Sequence, residues 1–97
     1  MAQHAAYRFS VTIKTEDLAV LNCLRALSEF SQKSGNNRIP WGNTKDSDWS
    51  AAGDTATFHF SEPSFRDGFV FELSRLLPRD LWQEVRRSDT DPARPAQ

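Results

Sequence analysis

Hydrophobic and polar residues alternate strictly near the start of the chain, over residues 7–14. Because successive side chains of a strand point to opposite faces, this period of two predicts a strand with one buried and one solvated face. The apolar side chains of this strand are Tyr7, Phe9, Val11 and Ile13.

Residues 16–33 have the spacing of a helix instead. Apolar residues recur there at intervals of three and four, which places them on one side of a helix and predicts that this side faces the core. They are Val20, Leu24, Leu27 and Phe30, flanked by Leu21 and Cys23. Thr15 is the expected N-cap and Gly35 follows the last turn, since these residue types favour the two ends of a helix.

The second half of the chain repeats the succession of a strand and a helix. Apolar and polar residues alternate over residues 55–61, which predicts a strand whose apolar side chains are Ala56, Phe58 and Phe60. A second helix follows, capped by Ser61 or Ser64 and stopped by Pro78, with Pro63 in its first turn. Its apolar stripe comprises Phe65, Phe69, Leu73, Leu76 and Leu77. A short third helix is predicted over residues 79–87, with an inward side formed by Leu81, Trp82 and Val85.

Residues 34–54 lack a clear period. Glycine, proline, asparagine, serine and aspartate are frequent there, which indicates loops and turns, yet Trp41 and Trp49 interrupt this polar stretch. We expect a strand somewhere between residues 44 and 52. The sequence Ala52-Gly53-Asp54 is a favourable turn, so this strand is expected to form a hairpin with the strand at 55–61.

These elements predict an α+β domain with a three-stranded sheet. A right-handed crossover makes the first two strands parallel, and the third strand, inserted between them, is antiparallel to both. The sheet order is then 2-3-1, with two main helices on one face and a short C-terminal helix, which is a truncated ferredoxin-like βαββα arrangement. Residues 1–6 are expected to be flexible, residues 7–87 to form one domain and residues 88–97 to form a disordered tail. This architecture supports many functions, so it implies none of them.

Composition narrows the class of protein. The chain has 97 residues, of which 38% are hydrophobic and 26% charged, as in a soluble globular domain with a small core. No stretch approaches the roughly 20 apolar residues of a membrane span, and the first seven residues lack the pattern of a signal peptide. A single cysteine precludes an internal disulfide. We therefore expect a cytoplasmic protein without a membrane partner.

The charges are balanced and interspersed along the chain. Twelve basic and thirteen acidic side chains give a net charge of -1, without the one-sided basic surface that nucleic-acid binders use to neutralise phosphates. Three side chains that could contact phosphates, Arg8, Lys14 and His59, lie on the predicted polar face of the sheet. A weak nucleic-acid-binding accessory protein that uses this face is therefore the alternative function.

Candidate catalytic residues are few. Cys23 lies beside the apolar stripe of the first helix, where a cysteine usually packs as a small hydrophobic residue, and no histidine is placed to activate it. His59 is expected to be a solvated strand residue. Turn formation explains Asp46, Asp48 and Asp54, whose spacing matches no calcium loop. We therefore expect no enzyme, no cofactor and no metal site, and an enzyme built around Cys23 or His59 is the third alternative.

The remaining signals favour binding to a protein. Three tryptophans are many for so short a chain, and tryptophan and arginine are enriched at interface hot spots. Trp41 lies between Pro40 and Gly42, which favours a projecting loop, and a first strand at the sheet edge offers backbone groups for strand pairing. The sequence thus predicts a small non-catalytic domain, of accessory, inhibitor or adaptor type, that binds another protein or a second copy of itself. The contact between two copies is expected at the first strand or at the second predicted helix. The candidate contact residues are Arg38, Trp41, Trp49, Arg8, Lys14 and His59.

Overall fold

A computed structural model of the chain describes residues 6–32 and 46–93. Its elements are, in chain order, β1 (Phe9–Lys14), α1 (Leu18–Gln32), α2 (Asp46–Ala51), β2 (Thr55–Phe60), α3 (Pro63–Leu76), a 3-10 turn (Arg79–Leu81) and β3 (Gln83–Ser88). The predicted α+β class with a three-stranded sheet is confirmed. Within the described ranges, no helix has the length and apolar character needed to cross a membrane.

The three strands form an antiparallel sheet with β1 at its centre. The order is β2-β1-β3, and β1 is antiparallel to both neighbours. The predicted order 2-3-1 is therefore wrong, and the ferredoxin-like arrangement is not confirmed. Because β3 pairs with the side of β1 that was expected to be free, the first strand is not an edge and offers no backbone for a partner.

The strand β3 takes the place of the predicted third helix. Trp82 is buried as predicted, but it lies directly before the strand, where its indole N–H donates to the Leu77 carbonyl at 3.4 Å. Arg87 donates to Glu84 within the strand and, at 3.0 Å, to Asp67 of α3. Pairing with β1 and these contacts to α3 override the helical spacing, which is a weak preference in so short a segment.

The strand predicted between residues 44 and 52 is wrong, because this segment contains the helix α2. Asp46 and Asp48 lie in its first turn, where the helix dipole favours carboxylates. The expected turn at residues 52–54 is present, with positive φ angles of 72° at Gly53 and 65° at Asp54. It connects a helix to β2, so the predicted hairpin does not form.

The start of α1 differs by two residues from the prediction. Asp17 provides the cap, since its carboxylate accepts the Ala19 N–H at 2.8 Å. Thr15, the predicted cap, is buried and donates its hydroxyl to the Leu81 carbonyl at 2.8 Å. Thr15 therefore ties the entrance of α1 to the entrance of β3 instead of capping the helix.

The second predicted helix corresponds to α3. It begins at Pro63 and ends just before Pro78, as expected. Glu62 occupies the capping position without a side-chain hydrogen bond, so the predicted caps at Ser61 or Ser64 are wrong. A proline in the first turn lacks only an N–H that would have no helical partner, so the helix can start there.

The core lies between one face of the sheet and the two long helices. The rings of Phe58 and Phe60 in β2 each lie 5.3 Å, centroid to centroid, from the ring of Phe69 in α3. The other fully buried apolar side chains of this core are Val11, Ile13, Leu21, Leu24 and Leu73. Each of these residues belongs to a stripe that the sequence predicted.

Residues 89–93 continue alongside the start of β1. The Asp91 N–H donates to the Arg8 carbonyl and the Ala93 N–H to the Tyr7 carbonyl, each at 2.9 Å. Ala93 is buried. These residues, and Ser88 at the end of β3, fall within the stretch that was predicted to be a disordered tail.

Candidate partner-binding surface

The sequence-predicted contact residues do not come together on one described surface. Arg38 and Trp41 lie outside the described residues. Trp49 is buried in the core, and its indole N–H donates to the Thr15 carbonyl at 2.9 Å. Trp49 therefore anchors α2 to the start of α1 and does not present its ring to a partner.

Arg8 and Lys14 are exposed but lie at opposite ends of β1. Six residues of extended chain separate them by about 20 Å. The Arg8 guanidinium lies 4.7 Å from the centroid of the Phe9 ring, a distance at which a cation and an aromatic ring attract each other. The two cations therefore do not form a joint phosphate-binding patch.

His59 belongs to a polar cluster on the sheet face opposite the helices. Its Nε2 lies 3.5 Å from Oδ2 of Asp91, and the Ser10 hydroxyl donates to the same oxygen at 3.0 Å. Burial lowers the pKa of His59 below its usual value, and the Asp91 carboxylate only partly opposes this effect. His59 is half-buried and not solvated.

This cluster has the wrong order for nucleophilic catalysis. In a serine triad the imidazole stands between the hydroxyl and the carboxylate, so that it takes the hydroxyl proton. Here the carboxylate of Asp91 stands between Ser10 and His59. The geometry ties residues 89–93 to the two strands β1 and β2, and it does not activate Ser10.

Helix α1 carries two apolar stripes, not one. The inward stripe starts with Val20, Leu21 and Leu24 and continues through the buried residues Ser28 and Ser31. A second stripe on the flank comprises Cys23, Ala26, Leu27 and Phe30. One residue corresponds to about 100° of helical rotation, so the flank stripe turns away from the sheet.

Two predictions are corrected here. Phe30 was assigned to the core but is among the most exposed apolar residues described, and Cys23 is exposed and not packed inside. The reason is that Ser28 and Ser31 continue the spacing of Leu24 at positions four and seven residues further, and they occupy the inward places. A prediction based only on the spacing of apolar residues does not detect serines that are buried on the inward side of a helix.

Helix α3 exposes apolar residues on the same side of the molecule. The exposed fractions are 72% for Phe30, 67% for Phe71 and 54% for Leu76, although Leu76 was predicted to belong to the core. Phe71 lies off the predicted stripe and was not selected in the sequence. An aromatic residue outside the stripe of an amphipathic helix was the signal that could have revealed this surface.

These side chains border two grooves that meet at Phe30. The first has a volume of about 370 Å³ and is lined by Cys23, Ala26, Leu27, Phe30, Leu76 and Leu77. The second, also of about 370 Å³, is lined by Phe30, Ser31, Ser64, Phe65, Gly68, Phe71 and Glu72. We call the surface formed by Cys23, Ala26, Leu27, Phe30, Phe71 and Leu76 the outer apolar face.

A larger cleft, of about 700 Å³, lies where β1 and the 3-10 turn meet. Its charged residues are of both signs. They are Lys14, Glu16, Asp17, Arg79 and Asp80. Mixed charges of this kind favour no single class of ligand. The described residues also contain no group of three or more histidine, cysteine, aspartate or glutamate side chains that could hold a metal ion.

Comparison with protein-family models, with curated proteins and with solved structures finds no match to this chain. The function has therefore to be argued from the surface itself.

Proposed function

We propose that the chain is a small non-catalytic domain that binds protein through its outer apolar face. The observation that carries this proposal is the exposure of Phe30, Phe71 and Leu76 around an apolar groove and an adjoining groove of mixed polarity. Contiguous exposed apolar surface is rare on monomeric proteins and marks sites of interaction.

The shape and chemistry of this face suit an apolar protein surface. In the described part of the chain, its first groove is lined by apolar side chains and the Cys23 thiol, and Glu72 is the one charged residue that lines the second. Grooves between two helices commonly accept the apolar side of a further helix. The aromatic rings of Phe30 and Phe71 are the expected anchors, because large aromatic residues bury much area for little loss of conformational entropy.

The proposal is tested by photo-crosslinking from within the face. Phe71 is replaced by p-benzoylphenylalanine, which keeps an aromatic ring at this position, and the protein is irradiated in a cell extract. The matched control carries the same group in place of Val85, which is 53% exposed on β3 and is not among the described residues that line the two grooves. We expect covalent protein adducts from position 71 that are absent from position 85.

A second variant shows whether the adducts depend on the face. Phe30→Ser is introduced into the protein that carries the crosslinker at position 71. Because Phe30 borders both grooves, we expect this change to remove most of the adducts. Adducts that form equally from position 85, or that persist unchanged in Phe30→Ser, would contradict the proposed function.

A further inference from the structure

We propose that the outer apolar face binds a second copy of the chain, with the α3 helices of the two copies crossing at Gly68. This inference rests on the proposed function, since it names the partner of the same face. It adds a contact geometry and a residue that the function alone does not require.

Gly68 is the first observation behind this proposal. It lies in the interior of α3 and lines the second groove beside Phe71. Among the residues that the structure describes, a Cβ atom at this position would meet nothing within 4 Å, so packing within that part of the chain does not require a glycine there. Glycine destabilises a helix interior relative to alanine. A glycine that the fold does not need, on an apolar surface, is suited to the close approach of another backbone.

The outer apolar face is also complementary to itself. It presents projecting rings, Phe30 and Phe71, and next to them grooves of about 370 Å³. In a two-fold contact the same surface lies on both sides, so a projecting side chain of one copy can enter a groove of the other. A face that has only projections or only grooves lacks this property.

The charges permit two copies to meet. Of the described residues that line the two grooves, Glu72 alone is charged, and Arg75 neutralises it in an ion pair of 2.8 Å. The net charge of the chain is -1. Long-range repulsion between two copies is therefore small.

The size of the contact predicts a reversible dimer. Covering the exposed parts of Phe30 and Phe71 in both copies removes roughly 400–700 Å² from water, at about 150–250 Å² for a whole aromatic side chain. Stable interfaces bury about 1,200 Å² or more, so even with flanking residues this contact lies at the lower end of the range. We expect a monomer–dimer equilibrium that depends on concentration.

Sedimentation equilibrium of the purified full chain tests the proposal. The weight-average mass of the wild type is expected to rise from one chain to two as concentration increases. Gly68→Ala is expected to raise the thermal midpoint of the monomer and to weaken dimerisation by about tenfold or more, as loss of a close backbone contact implies. Phe71→Ser is expected to weaken dimerisation without lowering the midpoint.

The matched control is Ser74→Ala, which improves helix propensity at an exposed position of α3 outside both grooves. It is expected to leave the dimerisation constant unchanged. A wild type that stays monomeric at every concentration, or a dimer that Gly68→Ala and Phe71→Ser leave as strong as in the wild type, would overturn the inference. If that monomeric wild type still forms adducts in extract that require Phe30, the partner is a different protein and the proposed function stands.

Discussion

The inner and outer sides of the helix pair contradict the usual distribution of residue types. The inner side completely or almost completely buries the polar residues Ser28, Ser31 and Arg66, whereas the outer side exposes Phe30 and Phe71. The helices therefore carry more apolar surface than the sheet covers, and part of it points to solvent. The proposed protein contact would account for this exposed apolar surface.

Two of these buried polar residues, Ser28 and Arg66, form hydrogen bonds within the chain. The Ser28 hydroxyl donates to the Arg25 carbonyl at 2.7 Å, one turn earlier in α1. Arg66 donates to the Ser88 carbonyl at 3.0 Å and to the carboxylates of Asp67 and Asp89. Hydrogen bonds of this kind remove most of the cost of burying a polar group. On the inner side, hydrogen bonds within the chain therefore compensate for the burial of Ser28 and Arg66. On the outer side, apolar side chains remain exposed to solvent.

The largest effect is expected from two phenylalanines that lie two residues apart in α3. Phe69 is fully buried and Phe71 is mostly exposed. Phe69→Ala should lower the free energy of unfolding by about 3–5 kcal/mol, as for other buried aromatic residues. Phe71→Ala should change it by less than about 0.5 kcal/mol. Urea unfolding of both variants checks this pair, and equal losses would show that Phe71 belongs to the core.

A smaller effect is expected when the inner side of α1 is made more apolar. Ser28 is fully buried, so a larger side chain there has no free space. Ser28→Leu should lower the free energy of unfolding by about 1–3 kcal/mol through overpacking. Ser74→Leu, at an exposed position of α3, is the control and should be nearly neutral. If Ser28→Leu proved as stable as the wild type, the inner stripe would not be closely packed at this position.

Substitution of Gly68 is expected to increase the stability of the monomer, whereas the substitutions above lower it or leave it unchanged. Gly68→Ala should raise the free energy of unfolding of the monomer by about 0.5–1 kcal/mol, because alanine is the better helix former and a Cβ atom there meets no described atom within 4 Å. The measurement is urea unfolding at a protein concentration low enough to keep the chain monomeric. A loss of stability would show that a neighbouring part of the chain needs the space.

The pH dependence of stability extends the comparison to the polar face of the sheet. Burial lowers the pKa of His59 below its ordinary value of 6.5, so the unfolded chain takes up a proton at a higher pH than the folded chain. The free energy of unfolding should therefore fall as the pH decreases through 6.5 towards the lower pKa of the folded state. His59→Gln should flatten this part of the curve in urea unfolding at pH values on both sides of it. His4→Gln, which replaces the other histidine, is the control and should keep the slope.

The sequence was informative where local spacing and tertiary contacts agree. Strands β1 and β2 alternate, and helices α1 and α3 have apolar stripes that end at capping or proline positions, so all four were predicted with small errors at their ends. β3 and α2 were missed because the apolar spacing in β3 suits a helix and residues 34–54 have no clear period. Both elements take their conformation from partners distant in sequence, here β1 for β3 and Thr15 for Trp49.

The candidate site was predicted less well for a related reason. Trp49 was predicted to be a contact residue because it is a tryptophan in a segment with the composition of a loop. Burial depends on the three-dimensional packing, however, and Trp49 is buried in the core. Phe30 and Leu76 fit a helical stripe and were assigned to the core, because spacing alone does not show how wide an arc the sheet covers. That Ser28 and not Phe30 faces inward follows only from the placement of α1 against α3 and the sheet.

Stability and crosslinking measured together on Phe30→Ser, with p-benzoylphenylalanine at position 71, test the central claim most directly. If the outer apolar face is a protein-binding surface, this variant keeps the thermal midpoint of its parent and loses its protein adducts. If the face is only loosely covered core, the midpoint falls as it does for a buried aromatic residue. Adducts that persist at an unchanged midpoint would equally contradict the claim.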